Sequence, residues 1–269
     1  MHALINGGNI HWEELGAADA PSVVFLHGFP FSLEMWRAQM ELVAANGFRA
    51  LAYDIRGHGM SDVGDGQFTI ESHVDDLFAL LDELKIGRTV IVGLSMGGYI
   101  TLRALERSPE RFLAAVLCDT RSESDTNEGR IRRAVSASGV KKTGSAAFAE
   151  DFVKAVFAPE SVTRSAGAIE AIRRTIARTT PLSIAGTLIA LAGRSDTTAA
   201  LAGLSLPTLI LVGEKDITTP PAASAAMHER IRGSELHIVP GAAHMSNLEN
   251  PQFFNEKLLG FLRRLSASR

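Results

Sequence analysis

The stretch Gly93-Leu94-Ser95-Met96-Gly97 decides how this chain is interpreted, because of the two segments that flank it. The apolar run Thr89-Val90-Ile91-Val92 precedes it and predicts a buried strand, while the pattern over residues 98–105 predicts a helix. A serine between two glycines at a strand-to-helix turn has a strained backbone and an exposed hydroxyl, as a nucleophile requires. Any Cβ at the two glycine positions is expected to collide with neighbouring backbone. The helix directs its positive end at the site, which favours developing negative charge.

Apolar runs and helical patterns alternate along the rest of the chain. The runs that predict strands cover residues 23–26, 49–53, 89–92, 114–117, 208–212 and 236–239. The patterns that predict helices cover residues 35–45, 70–84, 98–107, 222–232 and 251–265. An N-terminal hairpin is predicted as well, since Asn6-Gly7-Gly8 separates two short apolar segments. The alternation predicts an α/β fold with a mostly parallel sheet flanked by helices, and ligands at the carboxyl ends of its strands.

One long region interrupts the alternation. Residues 120–205 contain no convincing buried strand, only helical stretches rich in alanine and arginine. A loop of that length without structure of its own is uncommon in a compact domain. The sequence therefore predicts a helical cap over residues 120–205, inserted into a core formed by residues 1–119 and 206–269.

Two further residues follow predicted strands and complete a catalytic arrangement with Ser95. A serine hydroxyl needs a base at neutral pH, and the base needs an orienting carboxylate. Asp216 comes shortly after strand 208–212, and His244 follows strand 236–239. The chain order Ser95, Asp216, His244 is the one expected on this topology. We therefore predict a triad of these three residues.

The assignment of Asp216 as the orienting acid competes with another role for Asp216 and with another aspartate. Asp216 could be only a helix-capping aspartate, but Thr218 or Thr219 is better placed to cap the helix that follows Pro220. Asp119, at the end of the strand after Ser95, is the second candidate for the orienting acid.

The turn His27-Gly28-Phe29-Pro30 follows the strand at residues 23–26, so its backbone is predicted over the same sheet edge. Its Phe29 N–H and the Met96 N–H are predicted to bind the oxyanion, since Pro30 has no N–H. Each such backbone donor is typically worth about 3–4 kcal/mol of barrier.

Other residues near the site have competing explanations. Gly28, Phe31 and Trp36 are tentative pocket residues, and the two aromatic side chains fit packing of the first helix equally well. Asp54 and Arg56 are predicted to pair and hold a glycine-rich turn rather than a ligand.

The arginines of the predicted cap form another group. Most are expected on a solvated helical face, and one that turned inward would bind a substrate carboxylate. They include Arg121, Arg130, Arg132, Arg133, Arg173, Arg174 and Arg178.

The remaining histidines and the cysteine favour structural roles. His27 and His58 are predicted to bond loop backbone near the site, and Cys118 to be a buried packing residue.

The chain resembles the α/β-hydrolase fold superfamily over nearly its whole length. The motifs that carry the resemblance are His27-Gly28-Phe29-Pro30, the stretch from Asp54 to Ser61, the Ser95 turn, Gly213-Glu214-Lys215-Asp216 and Gly241-Ala242-Ala243-His244.

Within that superfamily, the chain resembles the carboxylesterase and 3-oxoadipate enol-lactonase group. This narrower resemblance depends on Asp119-Thr120-Arg121, the cap and Arg194-Ser195-Asp196. It implies Ser95, Asp216 and His244 as triad, and Phe29 and Met96 as oxyanion hole.

Composition limits the classes of protein to consider. Hydrophobic residues make up 46% and charged residues 21%, with a net charge of −3, which gives no electrostatic case for nucleic acid or an anionic membrane. The single cysteine excludes an internal disulfide and favours a reducing compartment. With no signal peptide or long apolar run, the protein is predicted to be cytoplasmic.

These observations predict a serine hydrolase that cleaves small carboxylic esters without metal or cofactor. The alternatives are a lactonase of the enol-lactonase type, a perhydrolase or haloperoxidase-like activity, and a cofactor-independent dioxygenase. A ligand-binding receptor on the same fold is the alternative outside enzymes. A haloalkane dehalogenase or epoxide hydrolase is disfavoured because position 95 holds serine, not a carboxylate.

Overall fold

A computed structural model describes residues 1–267 and contains one eight-stranded sheet. The strands are β1 His2–Ile5, β2 Gly8–Leu15, β3 Ser22–Leu26, β4 Arg49–Tyr53, β5 Thr89–Leu94, β6 Phe112–Cys118, β7 Thr208–Gly213 and β8 Glu235–Val239. Each of the predicted apolar runs is found in a strand. The predicted α/β class is confirmed.

The sheet order is β1-β2-β4-β3-β5-β6-β7-β8. The pairs β1–β2 and β2–β4 are antiparallel, and every other neighbouring pair is parallel. The strands from β3 to β7 are buried along almost their whole length, as parallel strands covered on both faces should be. Their carboxyl ends therefore meet at one edge of the sheet.

The hairpin between β1 and β2 turns where the sequence predicts. Asn6 and Gly7 have φ values of 44° and 78°, the positive values that a tight two-residue hairpin requires.

Helices connect the strands. They are α1 Arg37–Ala45, α2 Ile70–Glu83, α3 Met96–Arg107, α4 Asn127–Val156, α5 Ser161–Arg164, α6 Ala166–Arg178, α7 Pro181–Ala192, α8 Pro221–Arg230, α9 Ser246–Glu249 and α10 Pro251–Ala267. Helix α1 packs on α10, and α2 packs on α3. Helix α3 begins two residues earlier than predicted, immediately after Ser95.

The segment between β6 and β7 is helical. It contains α4 to α7 and a short 3-10 turn at Thr198–Gly203, and its described residues include no strand. Helix α4 bends at Gly144, whose φ of 82° and ψ of 166° lie outside the helical region. It packs mainly against α6 and α7. The division of the chain into core and cap stays a prediction.

No single helix among the described residues combines the length and apolar character needed to cross a membrane. Helices α6 and α7 meet those criteria only when taken together, across a bend of 98°.

The turn after β4 corrects one prediction. Asp54 does not pair with Arg56: its Oδ2 lies 2.9 Å from Nδ1 of His11, and Arg56 forms two hydrogen bonds with Asp76, at 2.7 and 2.8 Å. The expected pairing rested on proximity in sequence, whereas the partners come from β2 and α2. The carboxylate still holds the turn, because it accepts the amide of Met60.

Candidate active site

Ser95 lies at the junction of β5 and α3 with a strained backbone. Its φ of 53° and ψ of −111° are unusual for a residue with a side chain. The strain is held by neighbours on both sides, since the Ser95 N–H donates to Cys118 O at 3.0 Å and Thr120 Oγ1 donates to Ser95 O at 2.9 Å. Strained residues that the surrounding structure holds so firmly cluster at active sites.

The two glycines beside Ser95 have no room for a side chain. A Cβ at Gly93 would lie 2.3 Å from Gly97 O, and one at Gly97 would lie 2.2 Å from Leu26 O. Both clashes would be with backbone atoms, which cannot move aside as a flexible side chain can. The glycines therefore allow α3 to pack directly against β3 and β5.

Asp216 and His244 form a buried pair at the same sheet edge. His244 Nδ1 lies 2.8 Å from Asp216 Oδ2, and the two residues are 3% and 2% exposed. Among residues 1–267, no hydrogen bond joins the Ser95 hydroxyl to His244, and His244 Nε2 has no partner. Catalytic hydrogen bonds are often long before substrate binds and tighten afterwards.

The Asp216 carboxylate is held in position by its own turn. Its Oδ1 accepts the amides of Thr218 and Thr219 at 2.8 and 3.0 Å, and its Oδ2 accepts the Thr219 hydroxyl at 2.7 Å. Burial opposes ionisation, but His244 and the Thr219 donors outweigh it and lower the pKa of Asp216.

This arrangement corrects the prediction that Thr218 or Thr219 caps the following helix. Helix α8 has Pro220 at its N-cap and no side-chain cap. The Thr219 hydroxyl is instead donated to Asp216.

Asp119, the second candidate acid, makes different contacts. Its Oδ1 accepts the Gly213 amide at 2.8 Å, and its Oδ2 accepts the Ser246 hydroxyl. Burial and the nearby Asp216 charge raise the pKa of Asp119 well above its ordinary value. Asp216, not Asp119, is therefore the carboxylate that contacts His244.

The turn after β3 is fixed by His27. Its Nδ1 lies 2.8 Å from Gly28 O, and its Nε2 accepts the Ile55 amide at 2.9 Å, so both ring nitrogens bond loop backbone as predicted. The Phe29–Pro30 peptide is cis. The Met96 N–H, as the first of α3, has no intrahelical acceptor. No acceptor among the described residues binds the Phe29 N–H.

Aromatic rings cover this turn. The Phe29 ring lies 5.7 Å from Phe152 and 6.2 Å from Phe148, and Phe31 lies 6.0 Å from Phe152. Phe148 and Phe152 belong to the second half of α4, so the helical segment lies directly over the turn.

The other tentative pocket residues lie deeper. Trp36 is fully buried between Phe25 and Phe254, at 5.3 and 6.2 Å, which corresponds to the packing alternative. Gly28 approaches Leu94 and Phe31, where a Cβ would lie 3.0–3.1 Å from their side chains.

A cluster of arginines surrounds one buried carboxylate, Asp125. Arg194 and Arg121 contact its Oδ1 at 2.8 and 2.9 Å, and Arg133 contacts its Oδ2. Burial opposes ionisation, but Arg133 and Arg194 lower the pKa of Asp125 to about 2. Arg121 and Arg133, two arginines of the predicted cap, therefore pair internally rather than lying on the solvated face expected for most of that group.

This cluster borders a cleft of about 660 Å³ between α4 and the loop that carries Asp216. The cleft is cationic at one end and apolar at the other. Its lining includes Arg121, Asp125, Arg132, Arg133, Phe152, Ile217 and Thr218.

Several contacts near the site could not be found from sequence. Glu249, five residues beyond His244, is buried and bonds the backbone on both sides of His244. Its polar surroundings in sequence carry no periodicity or motif that distinguishes it from a surface glutamate. Cys118 is buried, as predicted.

No group of three His, Cys, Asp or Glu side chains in residues 1–267 is arranged to hold a metal ion.

Comparison with known proteins places this geometry in a family. A family model described as the alpha/beta hydrolase fold matches residues 21–251. A 3-oxoadipate enol-lactonase from Acinetobacter baylyi is 28% identical over 96% of this chain and 94% of its own length.

Two solved structures are similar over nearly the whole chain. A thermophilic esterase from Thermogutta terrifontis, with malate bound, has a TM-score of 0.93 at 31% identity and covers 98% of both chains. The enol-lactonase from Burkholderia xenovorans LB400 has a TM-score of 0.91 at 29% identity, covering 98% of this chain and 100% of its own. This chain therefore belongs to the α/β-hydrolase fold superfamily and is a hydrolase.

Proposed function

We propose that this hydrolase cleaves small carboxylic esters with Ser95 as nucleophile, His244 as general base and Asp216 as the acid that orients it. The observation that carries the proposal is the buried 2.8 Å contact between His244 and Asp216, at the same sheet edge as the strained Ser95. Neither the pair nor Ser95 alone would suffice for catalysis, because a serine without a base is a weak nucleophile.

The proposed reaction proceeds in two halves. His244 Nε2 takes the Ser95 proton while Oγ attacks the ester carbonyl, and the resulting tetrahedral intermediate expels the alcohol, which leaves with that proton. A water molecule, deprotonated by His244, then attacks the acyl-enzyme, and His244 returns that proton to Ser95 Oγ as the bond to the acyl group breaks and the carboxylic acid is released. Asp216 accepts the Nδ1 proton in a hydrogen bond throughout, which fixes the tautomer and stabilises the imidazolium.

The amides of Phe29 and Met96 are proposed to bind the oxyanion. Met96 begins α3, where the unpaired N–H groups and the helix dipole favour negative charge. The His27 contacts hold the Phe29 turn in place before substrate arrives, so these donors do not have to reorganise as charge develops.

Hydrolysis of a p-nitrophenyl ester series tests this proposal. We expect Ser95→Ala to lower kcat by at least ~10⁴-fold, because the nucleophile is removed while the fold remains. Ser266→Ala, on the exposed face of α10, is the matched control and should leave kcat unchanged. A Ser95→Ala protein that retains wild-type turnover would contradict the assignment of the nucleophile.

A lactone carrying a carboxylate is the second candidate substrate. The cleft beside the Asp216 loop supports it, since Arg121, Arg132 and Arg133 line one end against a single carboxylate, Asp125, and carboxylates bind arginine strongly. Similarity to enol-lactonases points to the same class.

The second candidate is tested with two lactones that differ only in a carboxylate. Arg132→Gln should lower kcat/KM for the anionic lactone by ~10-fold and leave the neutral one unchanged, since a charge-assisted hydrogen bond contributes roughly 1.5–3 kcal/mol. Arg130→Gln, an exposed neighbour on α4 outside the cleft lining, is the control. Equal effects on both lactones would contradict recognition of the carboxylate.

A further inference from the structure

Glu249 is a second buried carboxylate near His244. It is 2% exposed and lies at the end of α9. No ion-pair partner contacts it among the described residues, so its charge is met by hydrogen bonds alone. A buried carboxylate that is not ion-paired has to be well hydrogen-bonded.

One oxygen of Glu249 binds the backbone on both sides of His244. Its Oε1 accepts the Ala243 amide at 2.9 Å and the Met245 amide at 3.3 Å. The amide between them, that of His244 itself, donates to Val156 O at 3.0 Å. The backbone amides of residues 243–245, in the loop that carries His244 (the histidine loop), are therefore all paired, two of them with the same side chain.

The other oxygen of Glu249 binds the connection from α4 to the first residue of α5. Its Oε2 accepts the Ala158 amide at 2.8 Å and the Ser161 hydroxyl at 2.6 Å. These donors are 91 and 88 residues away in sequence.

A purely local role does not account for these contacts. A side chain that only capped the start of α9 would need the Met245 amide alone. Glu249 instead joins the histidine loop to the end of α4, the helix whose Phe148 and Phe152 cover the Phe29 turn.

We propose that Glu249 is a positioning residue that fixes the His244 loop and couples it to the end of α4. The proposal rests on the assignment of His244 as general base. It adds that the position of the base and the position of the helical segment over the site are set by one carboxylate, so that a displacement of residues 156–161 reaches His244 through it.

Glu249→Gln tests the proposal with little change in shape. The amide supplies one acceptor and one donor, and the donor conflicts with one of the three N–H groups that face the native carboxylate. We expect kcat to fall by up to ~100-fold with KM within about 2-fold, because a base displaced by about 1 Å loses that much.

The split between kcat and KM supplies a readout that a merely structural role would not move. A loss of structure at the binding cleft would raise KM, whereas displacement of the general base alone lowers kcat and leaves KM unchanged. Glu256→Gln, an exposed glutamate on α10, is the matched control and should change neither kcat nor KM.

Hydrogen exchange tests the coupling without any enzyme assay. Glu249→Gln should speed exchange of peptides that cover residues 240–249 and residues 156–162, because the amide keeps one acceptor oxygen for donors from both segments and a neutral acceptor binds them more weakly. Ser161→Ala, which removes one hydrogen bond, should speed exchange mainly in residues 156–162 and lower kcat by a few-fold. It carries the test if Glu249→Gln does not fold.

The outcomes separate the two proposals. Unchanged exchange in both peptides would overturn the coupling, whatever the chemistry. Faster exchange with an unchanged kcat and KM would leave Glu249 structural and overturn its positioning role. Failure of Ser95→Ala to abolish turnover would overturn the proposed function, while the exchange result would stand by itself.

Discussion

Two buried aspartate–histidine pairs in this sheet have nearly the same geometry. His244 Nδ1 lies 2.8 Å from Asp216 Oδ2, and His11 Nδ1 lies 2.9 Å from Asp54 Oδ2. All four residues are at most 4% exposed. Each aspartate follows the carboxyl end of a parallel strand, Asp216 after β7 and Asp54 after β4.

The surroundings of the two pairs differ. Asp54 also accepts the amides of Leu33 and Met60, so its carboxylate ties together β2, the start of the first helical turn and the glycine-rich turn. Burial dominates and raises the pKa of Asp54, whereas the donors around Asp216 lower its pKa. The far nitrogen of His11 faces Glu13 at 3.7 Å, while that of His244 has no partner among residues 1–267.

The comparison shows that pair geometry alone does not identify a catalytic acid and base. What distinguishes the Asp216 pair is an open imidazole nitrogen at the edge where Ser95 is strained. The Asp54 pair has the same contact but uses it to hold loops together.

Substitution of the two histidines separates these roles most strongly. We expect His244→Ala to lower kcat by ~10⁶-fold, since loss of the base costs about as much as loss of the whole triad. His11→Ala should leave kcat of the folded protein within about 10-fold and lower the free energy of unfolding by ~1–3 kcal/mol, because Asp54 loses a buried partner. Esterase kinetics and chemical denaturation of both variants measure this, and the reverse assignment of effects would refute the distinction.

The two aspartates give a similar but smaller contrast. Asp216→Asn should lower kcat by ~10⁴-fold with the fold intact, because an asparagine stabilises the wrong imidazole tautomer. Asp54→Asn should act on stability instead, since its amide group cannot accept from every donor that Asp54 binds. A large loss of kcat in folded Asp54→Asn would mean that both pairs serve the chemistry.

The two pairs also differ in whether their partners could be predicted from the sequence. Asp216 and His244 follow strands in a motif order, so their meeting could be predicted from topology. The partners of Asp54 and Arg56 could not, because they come from β2 and α2, and nothing in the local pattern names a residue 43 positions away.

The parallel core was predictable for a similar reason. Buried parallel strands are continuous apolar runs, and all six runs were strands. For residues 120–205 only the helical character could be predicted, because the bend at Gly144 and the placement of Phe152 over Phe29 depend on tertiary packing. Glu249 was missed because burial of a polar residue leaves no trace in a single sequence.

As pH falls, buried histidines are expected to lower the free energy of unfolding before the Asp216 pair does. Burial lowers the pKa of His58 to about 4 and that of His73 to about 3, and lowers that of His27 well below its usual value. Below pH 6.5 the unfolded chain therefore binds more protons than the folded one, and each of these groups lowers stability as pH falls. The lowered pKa of Asp216 begins to reduce stability only near pH 4, at the lower end of the histidine window.

A variant isolates one of these groups. Between pH 7 and pH 5, His73→Leu should reduce the loss in free energy of unfolding by ~2 kcal/mol relative to wild type, since one titrating histidine is removed. The raised pKa values of Asp54 and Asp119 act in the opposite direction in both proteins and cancel in the difference. Denaturant titrations at the two pH values measure it, and parallel losses in both proteins would contradict the assignment.

The smallest expected effect concerns His73 and His27 at pH 8, where both are neutral. Both ring nitrogens of His73 are buried without a hydrogen-bond partner among residues 1–267, whereas both of His27 are bonded to backbone. His73→Leu should therefore raise the free energy of unfolding by ~1 kcal/mol, because it removes an unsatisfied polar group. His27→Leu should lower it by ~1–3 kcal/mol, because it leaves the Ile55 amide without an acceptor. Shifts of opposite sign in the two denaturant midpoints would support this account of burial, and destabilisation by His73→Leu would mean that its nitrogens have a partner in solution, such as a buried water.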